Sequence, residues 1–192
     1  MPRCPTAVLD ANVLFPFQLR NFLLHLAVDG MYDPLWSEEI VEECVRNLRG
    51  RAGMSEEQCA HLVTQMRTYF PDAWGSGYAR RADALVLPDE GDRHVVALAV
   101  HYEAEFIVTR NLKHFPPNVL GPAGVEPVDP DRFVELLWDR DSVNVVQAAE
   151  RHRLSLKRHP LTPAGYVDSL RQHAGLPRVA ELLAGSGFLD RS

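Results

Sequence analysis

The chain has 192 residues and a formal net charge of −6, with 46% hydrophobic and 24% charged residues. That balance excludes a disordered, collagen-like or disulfide-scaffold chain, and the negative charge excludes coating of nucleic acid or anionic membrane by bulk attraction. The charge is uneven, with residues 1–138 summing to −8 and residues 139–192 to +2.

Three cysteines, Cys4, Cys44 and Cys59, are odd in number and lack CxxC spacing, so neither a disulfide framework nor a zinc site follows from them. Arg20 and His25 interrupt the best apolar run, which leaves no bilayer span. The first residues lack the apolar core of a signal peptide, so a cytoplasmic location without membrane contact is the expectation.

In chain order, Thr6-Ala7-Val8-Leu9 is an apolar run closed by Asp10, as in a buried strand. Residues 17–29 repeat apolar side chains at helical spacing and stop at Gly30. Residues 32–36 read as a second short strand. Ser37 then caps a helix with Glu38 and Glu39 in its first turn and a stripe of Ile40, Val41, Cys44, Val45 and Leu48, with residues 49–54 as the following loop. Ser55-Glu56-Glu57-Gln58 has capping-box spacing and opens a helix to about Tyr69. Strands are expected at 84–88, at 106–109 and, on a sheet edge because of Pro127, at 124–128, with a helix beginning at Asp92.

The remainder carries helix signals: an amphipathic stretch at 141–156, the N-cap pair Thr162-Pro163, a stop at Gly175, and a last helix at 176–183. The fold class is therefore α/β, a parallel β-sheet flanked by helices with a helical C-terminal extension. The boundary is expected near residue 138, giving a domain over 1–138 and an extension over 139–192.

In open α/β sheets ligands collect at the carboxyl ends of the strands. Asp10 stands at such an end, Asp92 follows another expected strand, and Thr109 and Asn111 end a third. An acidic residue of the Ser37-capped helix joins them, although Glu42 and Glu43 flank its apolar stripe symmetrically and periodicity does not choose between them. Asp92 also suits a simple helix cap and Asn111 a simple turn. Asp10 is hardest to explain structurally, since a carboxylate closing a buried strand is costly without a partner. Clustered carboxylates require protons or a cation, and hard oxygen ligands suit Mg²⁺ or Mn²⁺, which points to a metal-dependent nuclease or phosphatase.

Leu9-Asp10-Ala11-Asn12-Val13-Leu14 resembles the opening of a PIN domain, whose first strand ends in an acidic metal ligand followed by x-Asn. Trp36-Ser37-x-x-Ile40-x-x-Glu43-x-x-Arg46-Asn47-Leu48 is similar to the helix bearing that family's acidic Glu, and this selects Glu43. Asp92-Arg93-His94-Val95-Val96-Ala97-Leu98-Ala99 resembles the segment with the third acid, and Val108-Thr109-Arg110-Asn111-Leu112-Lys113-His114-Phe115-Pro116 the fourth motif. The order holds over residues 6 to 128.

The resemblance, closest in kind to the VapC-like toxins of type II toxin–antitoxin systems, implies Mg²⁺- or Mn²⁺-dependent endoribonuclease activity. RNA is then the substrate, a cognate antitoxin the partner, and a homodimer an option. It implies Asp10, Glu43 and Asp92 as catalytic metal ligands, assisted by Asn12, Thr109 and Asn111. Where the family commonly places a fourth acid this chain has His114, so one ion on three carboxylates is expected and a second is left open. Arg20, Arg93, Arg110 and Lys113 are the nearest cations for phosphate, and Arg151-His152-Arg153 with Lys157-Arg158-His159 form a basic patch for RNA or an acidic partner. A second reading is a PIN-fold module that binds RNA or protein without cutting. An aspartate-nucleophile phosphatase is set aside, because Asn12 stands where a second Asp is wanted and cannot protonate a leaving group.

Overall fold

The computed structural model describes residues 4–82 and 87–190, which fall into two compact units. One unit comprises the chain up to Phe15 together with Asp33–Val128, and the other comprises Pro16–Tyr32 together with the chain from Asp129 onward. The strand expected at 84–88 lies largely outside the described residues.

The first unit is built on a parallel sheet in the order β2-β1-β3-β4, from β1 (Thr6–Leu9), β2 (Asp33–Leu35), β3 (Phe106–Val108) and β4 (Glu126–Val128). Ala7, Val8 and Leu9 are fully buried, as befits a strand flanked on both sides in a parallel sheet. Among the described residues β4 pairs only with β3, so Pro127 removes no ladder bond to a further described strand.

The helices of this unit are α1 (Ala11–Leu14), α3 (Glu38–Ala52), α4 (Glu56–Tyr69), α5 (Ala79–Ala82), α6 (Arg93–His101) and α7 (Pro117–Leu120); α2 (Phe17–Val28) belongs to the other unit. Ser37 accepts the Ile40 amide at 3.3 Å, and Ser55 and Gln58 form the complete capping box at 2.8 and 3.2 Å. The loop expected at 49–54 is a correction: α3 runs on to Ala52 and stops at Gly53, whose φ of +65° only glycine adopts without strain.

The segment after α4 returns beside β2, with Trp36 N donating to Ala73 O at 2.9 Å and Gly75 N to Trp36 O at 2.8 Å. A Cβ on Gly75 would lie 2.5 Å from Leu98 Cδ1 and 2.9 Å from Tyr102 Cε2. Gly75→Ala is therefore expected to cost about 1–3 kcal/mol through overpacking, read as a lower urea midpoint at unchanged slope.

The second unit collects α2, α8 (Pro130–Ser155), α9 (Pro163–Ser169) and α10 (Pro177–Gly185). α8 starts earlier than expected, with Asp129 accepting the amides of Asp131 and Arg132, and it is interrupted at Asp141, which caps the second half through the Asn144 amide at 3.0 Å. The buried faces of α2 (Leu19, Phe22, Leu23, Leu26) and α8 (Phe133, Val134, Leu137, Val145, Ala148, Ala149) pack together. Buried Asp131 caps α10 by accepting Arg178 N at 3.0 Å and Val179 N at 3.1 Å. Among the described residues no helix is long and apolar enough to cross a membrane.

One expected cationic contact is internal, and the tail patch is divided between buried and exposed residues. Arg20 is only 3% exposed and lies 5.9 Å from the Phe17 ring centroid, so it is not available to a phosphate. Of the tail patch, His152 is fully buried, Arg153 pairs with Glu150 and donates to Leu161 O at 2.9 Å, and Arg151 pairs with Asp29 at 2.5 Å.

Candidate functional site

Because the strands are parallel, the residues that follow them emerge on one edge of the sheet. Asp10 follows β1 and Thr109 follows β3, the two strands being in register at Leu9 and Val108. The ladder extends past both ends, with Asp10 N donating to Val108 O at 3.1 Å and Thr109 N to Val128 O at 2.9 Å. Neighbouring strand ends thus set the two side chains beside each other.

Thr109 Oγ1 donates to Asp10 Oδ2 at 2.6 Å, and accepts Asn12 Nδ2 at 3.0 Å and the Asn111 amide at 3.1 Å. Asn12 Nδ2 also donates to Asp10 Oδ2, and Asn12 Oδ1 accepts the Arg110 amide at 3.0 Å. The Thr109 hydroxyl spends its one proton on the carboxylate, and its oxygen takes two donors. Asn12 ties the start of α1 to the loop after β3. The Asn that trails the first acid by two residues is therefore a positioning residue, and Asn111 contributes its backbone to the same network.

Asp10 is 3% exposed and is pushed up to about 6, first by burial, then by the negative charges of Asp92 and Glu43; hydrogen bonds from Thr109 and the Ala11 amide pull the other way. The structure thus brings Asp10, Glu43 and Asp92 within electrostatic reach of one another. Glu43 is half-buried beside the apolar stripe of α3 whereas Glu42 is exposed, a distinction that helical periodicity did not make.

Asp92 precedes α6 without capping it through its side chain. Its Oδ2 instead accepts His114 Nδ1 at 2.8 Å. His114 lies in the short 3₁₀ turn Leu112–His114, only 23% exposed, and its Nδ1 is 3.8 Å from Asp89 Oδ2. Asp89, which sequence reasoning passed over, accepts the Gly91 amide at 2.9 Å, and ligand atoms of Asp89, Asp92 and His114 lie within 4.8 Å of one another. The only signal for Asp89 was the acidic run Asp89-Glu90-Gly91-Asp92 leading into α6.

The donor set suits a hard divalent cation. Asp10, Glu43 and Asp92 offer carboxylate oxygens, and the charges acting on Asp10 are both negative, so a cation would relieve the cost of ionising a buried acid. Arg110 and Lys113, on the loop after Thr109, are exposed. Arg93 is half-buried and paired with Glu90 at 2.8 Å.

The profile of the PIN domain matches residues 6–113, and that of the VapC50 C-terminal domain matches residues 130–185. A Mycobacterium tuberculosis protein with the provisional name ribonuclease VapC50 is 54% identical over 43 residues, a stretch that covers 22% of this chain and 25% of that protein. No solved structure matches. With more than half of its length matched by the profile of the PIN domain, the chain belongs to the PIN domain family.

Proposed function

We propose that this protein is a metal-dependent endoribonuclease, acting in the cytoplasm as the toxin of a toxin–antitoxin pair. The observation that carries the reading is Asp10, a carboxylate 3% exposed and facing two more negative charges, which is a costly arrangement for a protein with no cation to hold. The name of the Mycobacterium tuberculosis relative points the same way.

Asp10, Glu43 and Asp92 would hold Mg²⁺ or Mn²⁺. A bound ion of this kind would make the water it holds more acidic and would neutralise charge on the phosphodiester. Thr109 and Asn12 fix the Asp10 carboxylate in one orientation, and His114 does the same for Asp92. Arg110 and Lys113 are suited to the phosphate oxygens of RNA, and the Asn111 side chain to substrate. All these residues fall within 1–138, the stretch we assign to the nuclease, with residues 139–192 as its extension.

The test is cleavage of a labelled single-stranded RNA by the purified full chain. Products should form with Mg²⁺ or Mn²⁺ and vanish in excess EDTA. Cleavage that persists in EDTA overturns the metal assignment, and no cleavage with either ion overturns the nuclease.

One observation favours the second reading, a binding module without turnover. His114 places a donor on Asp92 where the family commonly has another carboxylate. His114→Asp decides between the two. The nuclease reading expects activity in both proteins; activity in His114→Asp but not in the natural chain would establish the module.

A further inference from the structure

The second unit contains a groove that the proposed chemistry leaves unused. It has a volume of about 980 Å³ and is lined by the start of α2, the chain just after α8, and the region of Ser169 and His173. None of its lining residues is acidic, although the whole chain carries a net charge of −6.

The cations on this groove differ from their neighbours. Arg151, Arg153, Arg171 and Arg178 each pair with a carboxylate, on Asp29, Glu150, Asp168 and Glu135. Lys157 and Arg158 line the groove, are exposed, and make no ion pair among the described residues. Beside them Phe17 presents a ring that is 59% exposed.

On the floor of the groove Gln18 Nε2 donates to Ser169 Oγ at 2.7 Å, which ties the start of α2 to the end of α9.

We propose that this groove binds a single-stranded segment of RNA, with Lys157 and Arg158 on the phosphates and the Phe17 ring against a base. Unpaired cations along a backbone track with an exposed aromatic beside it are the two elements by which single strands are held. An acidic peptide would satisfy the cations but bring no base to the Phe17 ring. The proposal rests on RNA being the substrate, and it gives the helical extension a role in holding that substrate.

The experiment measures anisotropy of a labelled 12-nucleotide oligouridine with the full chain carrying Asp10→Asn, in EDTA, so that binding is read without cleavage. Lys157→Glu/Arg158→Glu should weaken binding by at least about tenfold and flatten the dependence of log affinity on log salt by about 1.4. The charge-matched Arg171→Glu/Arg178→Glu protein should change affinity far less, and Phe17→Ala should weaken binding about tenfold with a smaller change in salt dependence. Circular dichroism confirms that each variant is folded.

Equal loss in both charge-reversal proteins, or none in either, overturns the proposal. So does a poly-glutamate peptide that binds through Lys157 and Arg158 while RNA does not, which would mark the groove as a protein-docking surface. The two readings fail separately: metal-dependent cleavage by the natural chain with groove-independent binding removes only the groove, whereas groove-dependent binding without cleavage removes only the nuclease.

Discussion

Replacing Asp10 by Asn is expected to abolish RNA cleavage and, at the same time, to make the metal-free protein more stable. The loss of activity should be about a hundredfold or more, since removing a metal-binding carboxylate forfeits several kcal/mol of transition-state stabilisation. The gain in stability follows from linkage. Asp10 titrates at about 6 in the folded chain against 3.8 in an unfolded one. A carboxyl raised in this way contributes stability below pH 3.8 and loses it as pH rises through 6. By pH 7 its ionisation costs about 3 kcal/mol.

Asparagine removes that cost but offers Thr109 and Asn12 a neutral and weaker acceptor oxygen, so a net gain of about 2 kcal/mol is expected. For a chain of this size that is roughly 4–8 °C in Tm, measured by calorimetry in EDTA at pH 7.5. The gain should shrink toward pH 4, where Asp10 in the natural protein is already protonated. A variant as unstable as, or less stable than, the natural chain at pH 7.5 would show that the carboxylate is not held at a cost.

The second large effect has the opposite sign. His152 is fully buried in the second unit, with its ring 6.0 Å from that of Phe22 and 5.0 Å from that of His25, and its Nδ1 2.8 Å from Tyr166 Oη. Burial, and to a lesser degree the charge of His25, lowers it from 6.5 to about 3. A base depressed in this way contributes stability above the unfolded value of 6.5 and loses it as pH falls, because the unfolded chain takes up a proton that the folded one refuses. The loss should reach about 2 kcal/mol by pH 5 and about 4 kcal/mol by pH 3.

Measured within the Asp10→Asn protein, so that Asp10 does not titrate, urea midpoints should fall steadily below pH 6.5. In the double variant His152→Phe/Tyr166→Phe, which replaces both partners of the internal hydrogen bond with apolar rings, that decline should be absent at little cost near pH 7. Parallel declines in the two proteins would mean that His152 is not the group responsible.

What could be read from sequence divides along physical lines. Features set by neighbours within one turn of chain were visible: the Ser37 and Ser55 caps, the Thr162-Pro163 start, and the apolar run that ends on Asp10. The start at Asp129-Pro130 carries the same signal as Thr162-Pro163, a capping oxygen followed by Pro at the first helical position. Gly50 and Gly53 both resemble stops, and only the φ of +65° at Gly53 separates them.

Long-range features were not visible. That Arg20 and His152 are interior depends on partners far along the chain, and isolated cations and histidines look the same whether buried or solvated. Of the candidate site, Asp10 was legible from the cost of its position, whereas Glu43 needed family resemblance to distinguish it from Glu42. Asp89 and the bond between His114 and Asp92 arise where two loops meet, and loops carry no periodicity to read.

The affiliation of α2 bears on the order in which the molecule can be completed. This helix emerges from the ribosome soon after β1, yet its apolar face of Leu19, Phe22, Leu23 and Leu26 is covered by α8, which is synthesised more than a hundred residues later. During that interval the face has no native partner, so folding of the second unit waits on late contacts of high sequence separation, with a slow and aggregation-exposed phase. A nascent chain halted at Val128 would keep every residue assigned to the metal and still present an uncovered greasy helix near its start. The C-terminal helices therefore serve the N-terminal sequence as an obligatory late cover.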